Sequence, residues 1–197
     1  MIKKKLAVFA SGNGSNFEAI ARACADGSLD AEVVLLVCDK PEAYCCTRAQ
    51  RLGIETFAFS PRSFPSKAHY EEQIVRMLNE RNVELICLAG YMRIISDVLL
   101  EAFPNRIIKI HPSLLPAFKG AHAIRDAFDY GVKVFGVTVH FVNDELDGGR
   151  IIAQKALEYH GRDIDALETQ IHAVEHVLYV EAIASVIAAD DSPTIIE

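Results

Sequence analysis

Short apolar runs alternate along this chain with stretches in which apolar residues recur at helical spacing. The runs at residues 6–10, 32–38 and 83–89 are almost continuously apolar, which is typical of strands buried on both faces. Strands that alternate with helices in this way form a parallel sheet with helices on each side. The pattern therefore predicts an α/β fold of the Rossmann-like type, with three layers and a mostly parallel, twisted sheet. Further strands are predicted at 55–59 and 106–111, and helices at 17–25, 42–52, 66–79, 96–103 and 121–130.

The pattern changes after residue 111. Residues 133–142 and 150–157 have the character of two strands joined by a glycine-ended loop, which predicts an antiparallel pair. A long helix over residues 163–189 is predicted to pack on the sheet, and residues 190–197 to form a frayed tail. Because no linker interrupts the chain, we predict a single domain over residues 1–189.

Composition narrows the classes of protein to consider. The 197 residues are 51% hydrophobic and 24% charged, as is ordinary for a soluble globular protein. The net charge of −7 argues against a nucleic-acid surface, which needs clustered positive charge. The apolar start is too short for a signal peptide, and no segment is expected to reach the roughly 20 apolar residues that span a membrane. We therefore expect a cytoplasmic protein.

The cysteines indicate neither disulfides nor a metal. Their number is odd, two of them are adjacent, and no CxxC pair is present, so neither a disulfide framework nor a zinc signature is predicted. A reducing compartment fits this usage. The five are Cys24, Cys38, Cys45, Cys46 and Cys87.

The predicted strand at 106–111 ends in groups that can move a proton. In an extended strand Lys109 and His111 share one face, and Pro112 ends the strand because it cannot donate to a ladder. Ligands of parallel sheets bind at the carboxyl ends of strands, where a histidine can act as a general acid or base. The alternative is a histidine that only caps a loop.

A glycine-rich turn lies between the first strand and the first helix. Strand, small-residue turn and helix is an arrangement that directs backbone N–H groups and a helix dipole at an anion. Residues 11–16 (SGNGSN) therefore predict a phosphate site, with Ser15 and Asn16 as capping residues. A dinucleotide fingerprint would need glycine at Phe17. A plain strand-to-helix turn is the alternative.

An acidic loop follows the predicted strand at 133–142. It carries Asp144, Glu145 and Asp147 and is closed by two glycines. If this loop folds over the end of the His111 strand, Asp147 could hold the imidazole and raise its pKa by stabilising the cation. Acidic turns are also common without any function.

The segment His172–Glu175–His176 matches the H-x-x-E-H spacing of some zinc peptidases. This short pattern often occurs by chance, and a peptidase would need a third ligand and a cleft. His140 alternates with apolar neighbours, which favours a packed strand histidine over a metal ligand. A zinc peptidase is therefore only a minor alternative.

Five segments of the chain form a specific set. They are residues 11–16 (SGNGSN), 88–93 (LAGYMR), 110–116 (IHPSLLP), 136–142 (GVTVHFV) and 144–149 (DELDGG). Each is a weak signal by itself, but all five occur in the expected order and at suitable spacing. Together, over residues 6–184, they resemble the phosphoribosylglycinamide formyltransferase family, folate-dependent enzymes of purine synthesis.

The resemblance implies a reaction and a set of site residues. A formyl group passes from 10-formyltetrahydrofolate to the amine of glycinamide ribonucleotide, with His111 as acid–base catalyst, Asp147 as the carboxylate that tunes it, and no metal. The implied phosphoribosyl site consists of Gly14, Ser15, Asn16, Phe17, His172 and Glu175. The implied folate site consists of Lys67, Met92, Arg93, Ile94, Ile95, Asn143, Asp144, Glu145 and Leu146.

One position departs from the family pattern. The family has an asparagine two residues before the histidine, where its side chain donates to the formyl oxygen, and this chain has Lys109. Loss of one such donor costs about 100- to 1,000-fold in rate. A cation beside His111 should also lower the pKa of the imidazole. We therefore predict a folded protein that binds both substrates and turns over slowly.

Two alternatives to full transferase activity remain open at this point. One is a formyltetrahydrofolate hydrolase, in which water replaces the amine. The other is a ligand-binding protein that has kept the pockets and lost catalysis at Lys109. Small-molecule partners are expected in each case, with a monomer or homodimer and with neither nucleic acid nor membrane.

Overall fold

The structure, a computed structural model, describes residues 3–190. Within these residues seven strands form one sheet in the order β3-β2-β1-β4-β5-β6-β7. The first five strands in the chain run parallel, and the last two run antiparallel to their neighbours. The strands are β1 (Lys4–Ala10), β2 (Ala31–Cys38), β3 (Thr56–Ala58), β4 (Leu85–Leu88), β5 (Ile107–His111), β6 (Val134–Phe141) and β7 (Ile151–Glu158).

Six α-helices connect or follow these strands in the described part of the chain. The predicted fold class is confirmed, as is the antiparallel pair β6–β7, and the predicted elements differ from the observed ones mainly at their ends. A short 3-10 helix at Pro61–Ser63 is an additional element. The helices are α1 (Ser15–Asp26), α2 (Tyr44–Leu52), α3 (Lys67–Glu80), α4 (Asp97–Ala102), α5 (Ala123–Tyr130) and α6 (Ile164–Asp190).

Two separate cores, one on each face of the sheet, produce the three layers. Along β1, Leu6 and Val8 pack in the core that contains α1 and α6, whereas Ala7 and Phe9 pack in the core that contains α3. Successive side chains of a strand point to opposite faces, so a strand with helices on both sides must be apolar throughout. This is why the continuous apolar runs of the sequence predicted the central strands.

Strand β5 is where the sheet changes from parallel to antiparallel pairing. Its neighbour on one side is the parallel strand β4, and on the other side is the antiparallel strand β6. The register of β5 with β6 pairs Lys109 with His140 and His111 with Thr138. The antiparallel pairing therefore brings a second histidine beside the polar face of β5.

Helix α6 corrects two sequence-based expectations. The expectation that no segment is apolar enough to span a membrane was wrong, because Ile164–Ala189 has the length and composition to do so. Its residues Leu167, Ile171 and Ile183 are buried in the core on one face of the sheet. Residue 190 of the predicted frayed tail belongs to this helix, and 191–197 lie outside the described residues.

Candidate active site

A cleft of about 1050 Å³ lies where β1, β4 and β5 end. Ligands of open α/β sheets bind beyond the carboxyl ends of strands, at the point where the strand order reverses. That point lies here between β1 and β4, because the chain continues from β1 to β2 and β3 on one side and then returns to β4 on the other. The lining includes the glycine-rich turn, residues 88–95, the end of β5, the acidic loop and one face of α6.

The glycine-rich turn leaves the first N–H groups of α1 without a side-chain cap. Gly14 is the N-cap residue, with φ 77°, and makes no side-chain cap hydrogen bond. The N–H groups of Ser15, Asn16 and Phe17 have no partner within the helix, since the first turn of any helix lacks one. The prediction that Ser15 and Asn16 are capping residues was wrong, because both lie within the helix itself. With glycine at the cap position, the helix end is open to a ligand.

A buried carboxylate connects this turn to α6. Glu175 Oε2 accepts a hydrogen bond from Asn16 Nδ2 at 3.0 Å and lies 2.8 Å from His172 Nδ1. This contact with Glu175 raises the pKa of His172 above its ordinary value, against the effect of burial. Asn16 Oδ1 is buried and has no hydrogen-bond partner among the described residues. This end of the cleft therefore offers N–H donors, a histidine that favours its cation, and one unused acceptor.

At the other end of the cleft, Asp147 accepts hydrogen bonds from two donors. Lys109 Nζ donates to its Oδ1 at 2.6 Å, and the Gly120 N–H donates to its Oδ2 at 2.9 Å. Burial works to raise the pKa of Asp147, but the hydrogen bonds from Lys109 and Gly120 together bring it below its ordinary value. The carboxylate therefore stays ionised and forms an ion pair with Lys109.

His111 is buried beside this ion pair. Its Nε2 lies 2.9 Å from the Phe118 carbonyl oxygen, to which it can donate, and its Nδ1 is 3.6 Å from Asp147 Oδ2. Burial lowers the pKa of His111 below its ordinary value and outweighs the raising effects of the Phe118 carbonyl and Asp147. The expected raising effect of Asp147 is present, but it is smaller than the lowering effect of burial. The expected lowering by Lys109 is present as a smaller contribution.

His140 also lines the cleft, in addition to being the packed strand histidine that its sequence pattern predicted. Its Nδ1 lies 2.8 Å from the Phe141 carbonyl oxygen, and its Nε2 lies 3.8 Å from Asp147 Oδ1. This Nε2 is buried without a hydrogen-bond partner in the described part of the chain. Burial lowers the pKa of His140, so the ring is neutral and Nε2 can accept a proton or hydrogen bond. The residue was missed because only the β5–β6 register places it beside Lys109.

Apolar side chains form one wall of the cleft between its two ends. Met92, Ile94 and Leu146 are large hydrophobic residues with exposed fractions of 60%, 68% and 50%. Grouped exposed apolar side chains of this kind mark surfaces that bind a ligand or partner. Ile95 adds a mostly buried position to the same wall. Arg93 lines the cleft as well and is held by Asp39, to which its Nε donates at 2.8 Å.

The acidic loop is fixed by contacts at its base. Asn143 Oδ1 accepts a hydrogen bond from the Glu145 N–H at 3.2 Å, and Lys119 Nζ lies 2.7 Å from Glu145 Oε1. Asp147 has φ 48°, a left-handed conformation in which aspartate is one of the more tolerated residues. The loop therefore folds over the end of β5 and delivers Asp147 to His111, as the sequence predicted.

Comparisons with known proteins agree with this geometry. The profile of the Formyl transferase family matches residues 4–183. The chain is 50% identical over 189 residues to a phosphoribosylglycinamide formyltransferase of Bacillus subtilis (strain 168), covering 95% of this chain and 97% of the relative. The chain belongs to the formyl transferase family.

Solved structures show the same fold at high similarity. Glycinamide ribonucleotide transformylase 1 from Geobacillus kaustophilus superposes with a TM-score of 0.91 at 49% identity, covering 93% of this chain and 98% of that one. A phosphoribosylglycinamide formyltransferase from Bacillus halodurans gives a TM-score of 0.92 at 43% identity, covering 98% and 100%. These likenesses cover nearly all of the formyl transferase described here.

Most of the predicted site residues lie together in the cleft of this formyl transferase. Phe17 is an exception, because its side chain is fully buried in the core and only its backbone N–H can face a ligand. Lys67 is another, since it lies outside the cleft lining and pairs with Glu71 at 3.8 Å. The residues that line the cleft as predicted are Gly14, Ser15, Asn16, Met92, Arg93, Ile94, Ile95, Lys109, His111, Asn143, Asp144, Glu145, Leu146, Asp147, His172 and Glu175.

The H-x-x-E-H segment does not form a zinc site in the described residues. His172 and Glu175 bond to each other, and these residues are not among the groups that bring three ligand atoms within 4.8 Å of one another. Within residues 3–190, the group that does so is Cys38, Cys45 and Cys46. The histidines are therefore better explained as part of the cleft of a formyl transferase than as metal ligands.

Proposed function

We propose that this formyl transferase moves the formyl group of 10-formyltetrahydrofolate to the amine of glycinamide ribonucleotide in purine biosynthesis. The observation that carries the proposal is one cleft with an open helix N-terminus at one end, a histidine–aspartate pair at the other, and an apolar wall between them. The names of the Bacillus subtilis and Geobacillus kaustophilus relatives support this choice of substrates. We also propose that the protein is cytoplasmic, a monomer or homodimer, and acts without nucleic acid or membrane.

The phosphoribosyl end of the substrate is assigned to the glycine-rich turn. A phosphate bound by the N–H groups of Ser15, Asn16 and Phe17 is stabilised by hydrogen bonds and by the dipole of α1. His172, whose pKa is raised by Glu175, favours its cationic form near the same end. The unused Asn16 Oδ1 and the Glu175 carboxylate are suited to ribose hydroxyl groups, which can donate.

The folate is assigned to the apolar wall. A flat pterin ring can cover Met92, Ile94 and Leu146 and thereby remove their exposed surface from water. Polar groups of Asn143 and Asp144 lie along the same wall and can orient the ring edge. Lys67 stays a candidate for the acidic tail of the folate, which would extend beyond the cleft lining.

The reaction is an acyl transfer in which His111 moves a proton. The substrate amine attacks the formyl carbon, a tetrahedral intermediate forms, and the bond from that carbon to the folate nitrogen breaks. His111 is neutral at rest because burial lowers its pKa, so it first accepts the proton that the attacking amine loses. The imidazolium then gives this proton to the departing folate nitrogen. Nδ1 is the ring nitrogen assigned to this task, because Nε2 is engaged by the Phe118 carbonyl.

Asp147 stabilises the transient imidazolium, and Lys109 reduces that effect. A carboxylate 3.6 Å from Nδ1 favours the charged ring, but an ammonium at 2.6 Å from the same carboxylate offsets its charge. Lys109 can donate to the formyl oxygen only if its ammonium moves away from Asp147 or donates to both groups at once. We therefore propose slow turnover in this chain, with Lys109 as a poor substitute for an amide donor.

The Lys109–Asp147 pair also favours a second candidate, a ligand-binding protein with impaired catalysis. In that case both ligands bind and no formyl group is transferred even at high protein concentration. A formyltetrahydrofolate hydrolase would instead release formate without glycinamide ribonucleotide. One assay, which follows the absorbance of the product folate with and without glycinamide ribonucleotide, distinguishes both alternatives from the transferase.

The test compares His111→Ala and Asp147→Asn with the unchanged chain in that assay. Loss of a general acid–base group lowers turnover by about 100- to 10,000-fold, so His111→Ala should abolish most transfer while folate binding persists. Asp147→Asn should lower turnover in the same direction. His160→Ala is the matched control, because that histidine is exposed and outside the cleft lining. Undiminished transfer by His111→Ala would refute the assigned role.

A further inference from the structure

Three cysteines converge beside the glycine-rich turn. Cys38 is the last residue of β2, and Cys45 and Cys46 lie in the first turn of α2. Their three sulfur atoms all lie within 4.8 Å of one another, and Cys45 Sγ donates to Cys38 Sγ at 3.4 Å. Cys38 and Cys45 are buried, and Cys46 is partly exposed. The cluster is therefore a compact set of three sulfur donors with access from one side.

The spacing of these sulfur atoms suits a metal ion. A Zn–S bond is about 2.3 Å, so two thiolates on a tetrahedral ion lie about 3.8 Å apart. Cys45 Sγ and Cys38 Sγ lie 3.4 Å apart and no pair of the three is farther apart than 4.8 Å, whereas a disulfide would need about 2.05 Å between two of them. Thiolates select soft cations such as Cu(I) and Zn(II). We propose that Cys38, Cys45 and Cys46 bind one soft d¹⁰ cation through three thiolates.

The position of two ligands at the start of a helix supports this site. Cys45 and Cys46 occupy the first turn of α2, a helix of nine residues. Burial raises the pKa of Cys46 to about 11, and the hydrogen bond with Cys45 raises the pKa of Cys38, so these thiols stay protonated until a metal displaces their protons. The positive end of the helix dipole then stabilises part of the negative charge of the thiolates. Three thiolates complete a trigonal Cu(I) site, whereas Zn(II) takes a fourth ligand, for which water can enter beside Cys46.

The site would be coupled mechanically to the turn that is assigned to phosphate. The Cys45 N–H donates to the Gly12 carbonyl at 3.0 Å, and Arg48 of the same helix donates to Asn13 O at 2.9 Å. Gly14 packs so closely that a Cβ built on it would lie 2.5 Å from Cys45 Cβ. A metal that fixes the start of α2 to β2 would therefore also hold the turn. Metal affinity at this cluster does not depend on formyl transfer, so either property can fail without the other.

The experiment titrates the reduced full-length protein without oxygen, with Zn(II) in one arm and Cu(I) in another, against a coloured competing chelator. Binding of one ion per chain is expected, with a rise in the thermal midpoint and a thiolate-to-metal charge-transfer band when Co(II) replaces Zn(II). Cys46→Ser and Cys38→Ser should each weaken binding by at least about 100-fold, since even indirect partners of a ligand cost 10- to 100-fold. The arm with the higher affinity identifies the cation.

Matched controls keep the result decisive. Cys24→Ser and Cys87→Ala alter cysteines outside the cluster and should bind as the unchanged chain does. Urea unfolding of every variant without metal shows whether its fold is retained, and the partly exposed Cys46 is the position least needed for packing. Equal affinity in Cys46→Ser, absence of binding in both arms, or a mass that shows two of the three cysteines joined as a disulfide would overturn the proposal.

Discussion

The two ends of the cleft differ in whether their polar and charged groups already have partners within the protein. At the α1 end, the helix N–H groups have no side-chain cap, and Asn16 Oδ1 is buried without a partner in the described residues. At the β5 end, Lys109 and Asp147 satisfy each other at 2.6 Å. The first end is open to a charged ligand, while the second has already balanced its charge internally. A single cleft can therefore be ready to bind and yet poorly prepared for chemistry.

Two histidines, one at each end of the cleft, both lie near a carboxylate, but their pKa values shift in opposite directions. His172 has a side chain that is 49% exposed and hydrogen-bonded to Glu175, and that bond raises its pKa. His111 has a side chain that is 3% exposed, and burial lowers its pKa although Asp147 is near. A carboxylate produces a net rise in a histidine pKa only when its effect exceeds those of desolvation and of nearby cations. At His111 both offsets are present.

The largest gain in turnover is expected from Lys109→Asn. The amide can donate to the formyl oxygen, and it cannot balance the charge of Asp147, which then acts fully on His111. Gain of one preorganised donor corresponds to about 100- to 1,000-fold in turnover, or about 3–4 kcal/mol, with little change in the KM of the phosphorylated substrate. Steady-state kinetics with both substrates measures this. A turnover of the unchanged chain equal to or faster than that of the variant would contradict the claim of impairment.

Lys119→Asn is the matched control for that variant. Lys119 also forms a 2.7 Å ion pair with the acidic loop, through Glu145, but on the exposed side. Exposed ion pairs contribute about 0–1 kcal/mol, so this variant should leave turnover within a few-fold. A large gain from Lys119→Asn would mean that loop release, rather than the donor at residue 109, limits the rate.

A smaller effect, on binding rather than turnover, is expected from Gly14→Ala. Gly14 has φ 77°, and an added Cβ would meet Cys45, so the start of α1 must shift. A left-handed non-glycine residue costs about 1–2 kcal/mol of folding free energy. A shift of the helix N–H groups that removes about 1.4 kcal/mol of phosphate binding corresponds to about a tenfold rise in the KM of the phosphorylated substrate. Gly27→Ala is the control, because Gly27 has a similar φ of 82°, lies outside the cleft lining, and has nothing within 4 Å of its Cβ position. Equal KM values for the two variants would argue against phosphate binding at this turn.

The smallest effect is a loss of stability on acidification. The pKa values of His111 and His140 are lowered from about 6.5 by burial, so below pH 6.5 the unfolded chain binds more protons than the folded one. The free energy of unfolding should therefore be highest above this pH and fall as the pH drops through the lowered pKa values. A tenfold difference in proton affinity between the folded and unfolded chains corresponds to about 1.4 kcal/mol. His172 opposes the trend, because its pKa is raised.

Urea unfolding between about pH 8 and about pH 5 measures this dependence. Lys109→Asn removes a cation that lowers both pKa values, so the acid-induced loss due to His111 and His140 should become smaller. Histidine proton resonances followed through the same range assign the change to individual rings. Resonances that place the pKa values of His111 and His140 at or above about 6.5 would be inconsistent with buried neutral histidines.

Much of the candidate site was predictable because its parts are local in sequence. Gly14 precedes a helix, and Pro112 ends the strand that carries His111, so the turn and the strand end follow from short-range backbone preferences. The contacts that set the charges are not local. Asp147 is 38 residues from Lys109, and His140 reaches the site only through the register of β6. A sequence pattern contains no distance between such groups, so the opposing effects of Asp147 and Lys109 on the His111 pKa were predicted and the larger effect of burial was not.

The sequence by itself determined the α/β layers, the order of the elements and the identity of the groups in the cleft, because hydrophobic periodicity and turn chemistry act over a few residues. Only the tertiary structure decided which of these groups neutralise one another and which stay free, since that depends on burial and on distances between remote segments. The cysteines illustrate the limit. Their spacing matches no metal motif, and the packing of α2 against the end of β2 brings three sulfur atoms together.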